Sequence, residues 1–462
     1  MPSMVSDFSI DSMNTEEKRS MSVEFRRYLW SAILIALSGC LGNVVDGIIV
    51  GNLIGEDGVS AINLSKPVVQ LMYTISMLLS TGAGMLVGYA LGKKEKHHAK
   101  FIYTQSMLGS LIAGILFTVI AGLLFPTQAA RLLCDNDHLF PMAYDYLRVM
   151  MLGAPAYMMM WCLSTMVGVD GSPRLVSIAI LIDNAVNLTL DIVFIKAFGW
   201  GIAGSSAATI VGHLVGIAIM LWHFRYKNHN IGLTFSRLEE DGVTLYLLTE
   251  WKRIISQGAP LAVASVCLTL LMFAANSIVL SSTGREGIFV FSVCMNLLQI
   301  YNLFLSGTCR TLQSLGAIQV GSKNEEGFQF VLRRSFRFIT ISMLVTCLFV
   351  WIFPQVISEL FGAATPEMVH ACNHALRIFA LSFIPFCYIY VIMIVYKLYG
   401  CHKMALFISF ALSLTVIPVL WLVSKFAPDY LWYSYLIAYI IEAVAIYAIH
   451  KIGRMPKLDL RV

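Results

Sequence analysis

The sequence predicts an all-α membrane protein with twelve transmembrane helices in two six-helix bundles, related by a pseudo-twofold axis along the membrane normal. Three observations lead there. Hydrophobic residues fill 58% of the 462 positions and charged residues only 13%. Apolar stretches long enough to cross about 30 Å of hydrocarbon recur along the whole chain. Loop glycines in the two halves repeat at a single displacement of 229 residues. Lipid offers backbone groups no hydrogen-bond partners, so each apolar stretch is read as a helix.

The first span, 28–54, follows Lys18, Arg19, Arg26 and Arg27. It is too long for a signal-peptide core and lacks a small-residue cleavage site, so it reads as a retained helix. Next come 59–91, 101–125, 143–167, 175–197 and 203–223. The span 59–91 exceeds the roughly 20 residues a crossing needs and contains Pro67, which implies tilting or extension into water. A polar connection carrying Arg237, Glu239, Glu240 and Asp241 precedes the remaining spans at 254–282, 288–320, 338–360, 370–399, 404–424 and 431–450. The chain thus divides into a cytoplasmic N-terminal segment (1–27), an N-terminal six-helix bundle (28–223), a cytoplasmic linker (224–253), a C-terminal six-helix bundle (254–450) and a basic cytoplasmic tail (451–462).

With the N-terminus inside, sixteen basic residues fall at inner loops or helix ends, and only Arg131, Lys196, Arg285 and Lys425 fall outside. The tail adds Lys451, Arg454, Lys457 and Arg461 to the inner side. This satisfies the positive-inside rule and places both termini in the cytoplasm. It also accounts for the net charge of +5; the basic residues sit at helix ends and form no soluble basic face, so no nucleic-acid partner is expected. The ten cysteines lie mostly inside spans without ligand spacing, as small core residues do. No nucleophile stands beside a positioned base, which argues against a membrane-embedded transferase or hydrolase, so the chain is not expected to be an enzyme.

At the displacement of 229, Gly55 falls on Gly284, Gly58 on Gly287, Gly92 on Gly321 and Gly171 on Gly400, with Phe125-Pro126 near Phe353-Pro354. Glycines collect at turns in any protein, but one displacement serving widely separated turns favours duplication. Six helices per half, an even number, give both copies the same orientation in the bilayer.

An ionised carboxylate far from water is costly, so an acid kept inside a span is paired, protonated or bound to a cation. Asp46 lies in the first span. Asp183, Asn187 and Asp191 lie in the fifth at i, i+4 and i+8, stacked along one helix face, with Asn184 beside them. His213, Arg310 and Glu442 are further candidates for a polar relay or cleft lining, and the repeat sets Glu442 opposite His213. The same displacement sets Asp46, Asn187 and Asp191 on Ala275, Val416 and Leu420, so these polar groups belong to one half only. A structural hydrogen-bond cluster is the plain alternative, and Arg310 either opposes Asp46 or anchors its own half. Tyr73, Tyr157, Met158, Met159, Met160 and Trp161 offer a soft substrate wall, although helix packing is the commoner role of such residues. Lys66, before Pro67, departs from that apolar character.

Val45-Asp46-Gly47 followed by Gly51, Gly82 with Leu91-Gly92, Gly171-Ser172-Pro173-Arg174, and above all NLTLDIVFIKAFGWGIAGSSAAT at 187–209 together resemble the multidrug and toxic compound extrusion family. The resemblance covers nearly the whole chain. It implies two bundles rocking between inward-open and outward-open states, in an antiporter that exports small amphipathic, often cationic compounds against entering protons or sodium ions. By position in that family, Asp46, Asn187, Asp191 and Thr209 would be the cation-coupling residues, and sodium there would be the one metal. Neutralising Asp191 would let the first helix bend at Gly42, Gly47 and Gly51.

The resemblance also implies a bacterial cytoplasmic membrane as the location, amphipathic small molecules and the lipid bilayer as partners, a monomer, and no organic cofactor. The acids that some members carry on the seventh and tenth helices are missing from 254–282 and 370–399. A related superfamily member, a flippase for lipid-linked oligosaccharide precursors, is the alternative. It would need a cationic cavity, for which Lys66, Arg148, Arg310 and Arg377 are the candidates.

Overall fold

The computed structural model describes residues 14–131, 138–225, 229–234, 243–360 and 365–451. Residues 1–13 of the N-terminal segment, 226–228 and 235–242 of the linker, with Arg237, Glu239, Glu240 and Asp241, and 452–462 of the tail lie outside the described residues. The helices are α1 (Thr15–Leu53), α2 (Glu56–Gly92), α3 (Lys96–Phe117), α4 (Pro126–Arg131), α5 (Phe140–Leu152), α6 (Ala154–Val169), α7 (Pro173–Ile192) and α8 (Ile202–Leu221), then α9 (Val243–Gly321), α10 (Glu325–Ile352), α11 (Pro354–Leu360), α12 (Pro366–Leu398), α13 (His402–Leu414), α14 (Val416–Phe426) and α15 (Ser434–Lys451). Eleven helical stretches are long and apolar enough to cross a membrane, and α5 with α6 makes a twelfth if that bent pair is one span.

The expected all-α architecture is therefore present, with local differences that have identifiable causes. α1 starts at Thr15 and not near 28, with Glu16 and Glu17 in its first turn, where the positive end of the helix dipole favours them. The expected span at 143–167 is two helices bent by 54° at Gly153. Pro155 lacks the N–H that would bond the Met151 carbonyl, and the Thr118 hydroxyl donates to that carbonyl instead at 2.7 Å. A side chain at Gly153 would overlap Ile210, its Cβ coming within 2.2 Å of the isoleucine Cδ1. In the span at 404–424, Pro418 cannot donate to Leu414, and the helix breaks there into α13 and α14. α9 runs through both expected spans 254–282 and 288–320, broken only where Gly284 adopts φ 67°, ψ −156°.

That glycine belongs to a repeated pattern. Gly55 and Gly284 have φ of 97° and 67°, and Gly171 and Gly400 have 93° and 74°. Among non-glycine residues described, positive φ occurs at Lys94 and Lys323, again 229 positions apart. These are the left-handed conformations L-residues avoid, so the two halves turn at equivalent places with the same backbone geometry.

By contacts the chain forms two compact units, Trp30–Ala262 and Met1–Leu29 with Val263–Val462. In the first, α7 and α8 form the most extensive helix pair, and α2 packs on α3 and α6. The start of α9 is seated on the same unit: the Trp251 indole donates to Gln105 at 3.2 Å, and a Cβ at Gly258 would come within 1.8 Å of the Leu78 carbonyl oxygen. The preceding segment is pinned as well, with the Asn230 amide and the His223 ring both on the Asp170 carboxylate. In the second unit, α12 is the most buried span. α10 exposes Ile341, Leu344, Val345, Leu348 and Ile352 and buries Ile339, Met343, Cys347 and Val350, a helical period whose outward stripe suits lipid.

Candidate functional site

The site is built on the α7–α8 hairpin of the Trp30–Ala262 unit. α7 begins with Pro173 at a position that needs no N–H donor and ends in a π turn, Val193–Ala197. Gly199 and Gly201, with φ of 68° and 57°, then reverse the chain. Phe194, Phe198 and Trp200 pack ring on ring at 4.8–5.7 Å to close the turn.

The hairpin lines up antiparallel partners four residues apart on each helix, one turn per step. At the outer end Asp191 stands beside Ser205. One turn further, the Asn187 amide donates to the Thr209 hydroxyl at 3.0 Å, and that hydroxyl donates to the Ser205 carbonyl at 3.2 Å. A turn beyond that, His213 Nδ1 lies 3.0 and 3.2 Å from the two Asp183 carboxylate oxygens. Gly212 and Gly216 make this third step fit: a Cβ at 212 would stand 2.5 Å from Asp183 Oδ1.

α1 runs parallel to α7. The Ser177 hydroxyl donates to the Ser31 carbonyl at 3.0 Å, and Asn184 donates to the Ser38 hydroxyl at 2.6 Å. Both links join residues 146 apart. Gly42 lets Asn184 approach, since a Cβ there would lie 3.2 Å from its side-chain oxygen. One turn on, Asp46 accepts from Ser205 at 3.4 Å, within reach of the Asp191 carboxyl.

Asp191 is fully buried, and neither of its oxygens receives a hydrogen bond from a described group. Two like charges about 4 Å apart repel by about 4 kcal/mol at an effective dielectric of about 20. A pair of facing carboxyl groups with one long hydroxyl bond between them is chemically able to take up a proton or a small cation. Asp46 and Asp191 form the core of this arrangement, and Asn187 with Thr209 form the next step along it. Asp183 with His213, and Asn184 with Ser38, extend the polar seam. Sequence reasoning missed Ser205 and Ser38, although Ser205 precedes Thr209 by the same four residues that space 183, 187 and 191.

The other candidates are dispersed. Tyr73 and Trp161 meet edge to face at 5.2 Å, and Tyr157 packs against the His213 ring at 5.3 Å. Met158 is fully buried in the core cluster with Tyr157, Met72 and Met150. Lys66 is exposed. Arg310 and Glu442 lie in the other unit. Glu442 is buried with neither carboxylate oxygen hydrogen-bonded to a described group. Lys397, placed by sequence at an inner helix end, is fully buried at the end of α12.

The MatE family model matches the chain twice, at residues 31–193 and 260–422. The chain belongs to the MatE family. The second MatE match starts and ends 229 residues after the first, the displacement of the loop glycines. Among relatives, the multidrug export protein MepA of Staphylococcus aureus is 24% identical over 278 residues, 59% of each chain. MepA of Staphylococcus saprophyticus is 26% identical over 276 residues, again 59% of each. The alignments thus span about three fifths of those relatives' length. Solved structures share the fold. A MOP superfamily transporter from Pyrococcus furiosus has a TM-score of 0.83 at 18% identity, covering 93% of this chain and 95% of that one. A MATE protein in the bent conformation scores 0.82 at 17% identity over 94% and 96%, and one in the straight conformation 0.82 at 19% over 93% and 96%.

Proposed function

We propose that this MatE chain is a cation-coupled antiporter that exports small amphipathic, often cationic compounds from a bacterial cell, using Asp46, Asn187, Asp191 and Thr209 to bind the entering proton or sodium ion. The observation that carries this reading is the buried Asp191 carboxyl, without a hydrogen-bond donor among the described residues and facing Asp46. A group so placed is stable when occupied and costly when empty and charged. Occupancy therefore changes the free energy of any conformation that opens or closes the site. α1 is the element that responds: it carries Asp46 and Ser38 on the face toward α7, with Gly42 beside Asn184. Filling the carboxyl pair releases α1 to bend near Gly42, Gly47 and Gly51 and resets the carrier after the compound leaves. Family membership and the multidrug export activity named for MepA support the substrate class.

A flippase would need several cations gathered in one cavity. Lys66 and Arg148 lie in one unit and Arg310 and Arg377 in the other, two and two, which gives that reading no added support.

The test is export of ethidium from proteoliposomes, with pH and sodium gradients imposed separately. Wild-type protein is expected to respond to one of the two, and Asp191→Asn to neither. Gradient-driven export with unchanged ion dependence in Asp191→Asn would remove the coupling site proposed here.

A further inference from the structure

The polar seam continues past the residues that the coupling reading uses. Asp183 and His213 lie two helical turns from Asp191 and Ser205, deeper along the same two helices. The imidazole Nδ1 donates to both oxygens of a carboxylate that is almost fully buried. His213 Nε2 is buried and has no hydrogen-bond partner among the described residues. With Nδ1 carrying its proton, Nε2 holds a free lone pair, and the buried pair carries one net negative charge. A second proton on Nε2 makes the pair neutral, which a low-dielectric site favours.

The surroundings leave a proton as the compensating ion. The titratable groups that α1, α5, α6 and α7 bring to this seam are Asp46, Tyr146, Tyr157, Asp183 and Asp191. The basic residues of the elements packed on α8, namely Arg148, Arg174, Lys196 and Arg225, are exposed. His223, at the end of the same helix, is held by Asp170. On its α8 side Asp183 is closely packed: its Oδ1 would stand 2.5 Å from a Cβ at Gly212, and its Cβ 3.3 Å from one at Gly216. Between the two acidic levels, Asn187 and Thr209 bond to each other and to the backbone and offer no acid. The next resting place for a proton along the seam is therefore Nε2 of His213.

We propose that Asp183 and His213 form a second proton-binding site, electrostatically coupled to the Asp46 and Asp191 pair. The proposal rests on the reading of that pair as the coupling site, and it makes the coupling ion a proton. Proton loss from the carboxyl pair leaves a negative charge about 12 Å away, eight residues at about 1.5 Å rise each. At an effective dielectric of about 20 that charge changes proton binding at His213 about tenfold.

The experiment is nitrogen NMR of histidine-labelled full-length protein in nanodiscs, with the His213 signal identified by its absence in His213→Asn and independently in His213→Gln. The expected result is a ring protonated at Nδ1 alone at alkaline pH and at both nitrogens at acidic pH. In the Asp46→Asn/Asp191→Asn double variant, which leaves no carboxylate at that pair, the transition should be displaced by about one pH unit toward acid, because the charge favouring the cationic ring is gone. A His213 ring that keeps one form from alkaline to acidic pH overturns the site. A transition unmoved in that double variant, or a spectrum unchanged in Asp183→Asn, overturns it equally. Vesicle export is not part of this measurement, so a protein that shows the coupled titration yet exports without ion dependence would refute the antiport reading and leave the site standing.

Discussion

Gly212→Ala is the sharpest probe of the α7–α8 seam. The added methyl carbon would stand 2.5 Å from Asp183 Oδ1 and 2.8 Å from the Asp183 carbonyl oxygen, where ordinary contacts are near 3.4 Å. The helices must part to clear the carbonyl oxygen, and the carboxylate either moves with them or swings away. Separation is overpacking, at about 1–3 kcal/mol. Swinging away lengthens the 3.0 and 3.2 Å contacts to His213 and gives up a charge-assisted hydrogen bond, at about 1.5–3 kcal/mol. The swing leaves the 2.8 Å contact with the Asp183 carbonyl oxygen in place, so the helices part in either case and the expected loss is about 2 kcal/mol or more. Gly168→Ala is the matched control. It lies in α6, and nothing stands within 4 Å of its added carbon, so the helical preference for alanine should leave stability equal or raised by up to about 1 kcal/mol. SDS-titrated unfolding in mixed micelles reads both. Equal stability of the two variants would refute the close approach of α7 to α8 and the seam built on it.

Other consequences follow from single contacts. Thr118→Val removes the hydroxyl that caps the Met151 carbonyl beside Pro155 and should lower stability in the same unfolding assay by about 1 kcal/mol; an unchanged curve would mean the α5–α6 bend needs no such support. Asp170→Ala strips the Asn230 amide and the buried His223 ring of their partner, so amide hydrogen exchange across 229–234 should rise by at least tenfold. Exchange there equal to wild type would show that this contact does not pin the segment. Ser205→Ala removes the hydroxyl that donates to Asp46 and should weaken the ion dependence of export while leaving the folded fraction unchanged; full ion dependence would place the coupling elsewhere.

The fold was legible because lipid makes demands that composition reveals: spans must be apolar and helical, and turns between them need residues such as Gly55, Gly171, Gly284 and Gly400 that tolerate positive φ. The acids of the site were legible for the same reason, since an Asp in hydrocarbon is exceptional. Their partners were not. Serines and threonines in membrane helices commonly bond back to their own backbone, as Ser76 does to Met72 and Thr74 to Gln70, so nothing local marks Ser205 or Ser38 as different. Register decided those two, and register depends on the reversal at Gly199 and Gly201. The break at Gly153 was obscured because glycine and proline are tolerated in membrane helices, and the close approach of Ile210 to Gly153 is visible only in three dimensions. Residues 250–262, read from sequence as the end of the linker and the start of the C-terminal bundle, are seated by backbone contacts at Gly82 and Gly258 that no side-chain pattern announces.

The duplicated half supplies the last argument. At the common displacement Asp183, Asn187 and Asp191 fall on Leu412, Val416 and Leu420, and Ser205, Thr209 and His213 fall on Ser434, Ala438 and Glu442. All six are buried in the second unit. The same helical hairpin thus folds there around an apolar seam, with Glu442 facing the place of Leu412 in the alignment and lacking the partner that His213 finds in Asp183. The first half's acids are consequently not required by the architecture, and they are expected to lower its stability, since replacing buried charged groups by apolar groups of similar volume is often neutral or stabilising by about 1–4 kcal/mol. Leucine and aspartate carry the same number of side-chain heavy atoms, which makes Asp191→Leu a direct test. The variant should unfold at higher SDS fraction than wild type while losing ion-dependent export, a gain in stability bought with function. Destabilisation by Asp191→Leu would mean that the carboxyl holds the bundle together, and the case for a switching ion site in this half would fall with it.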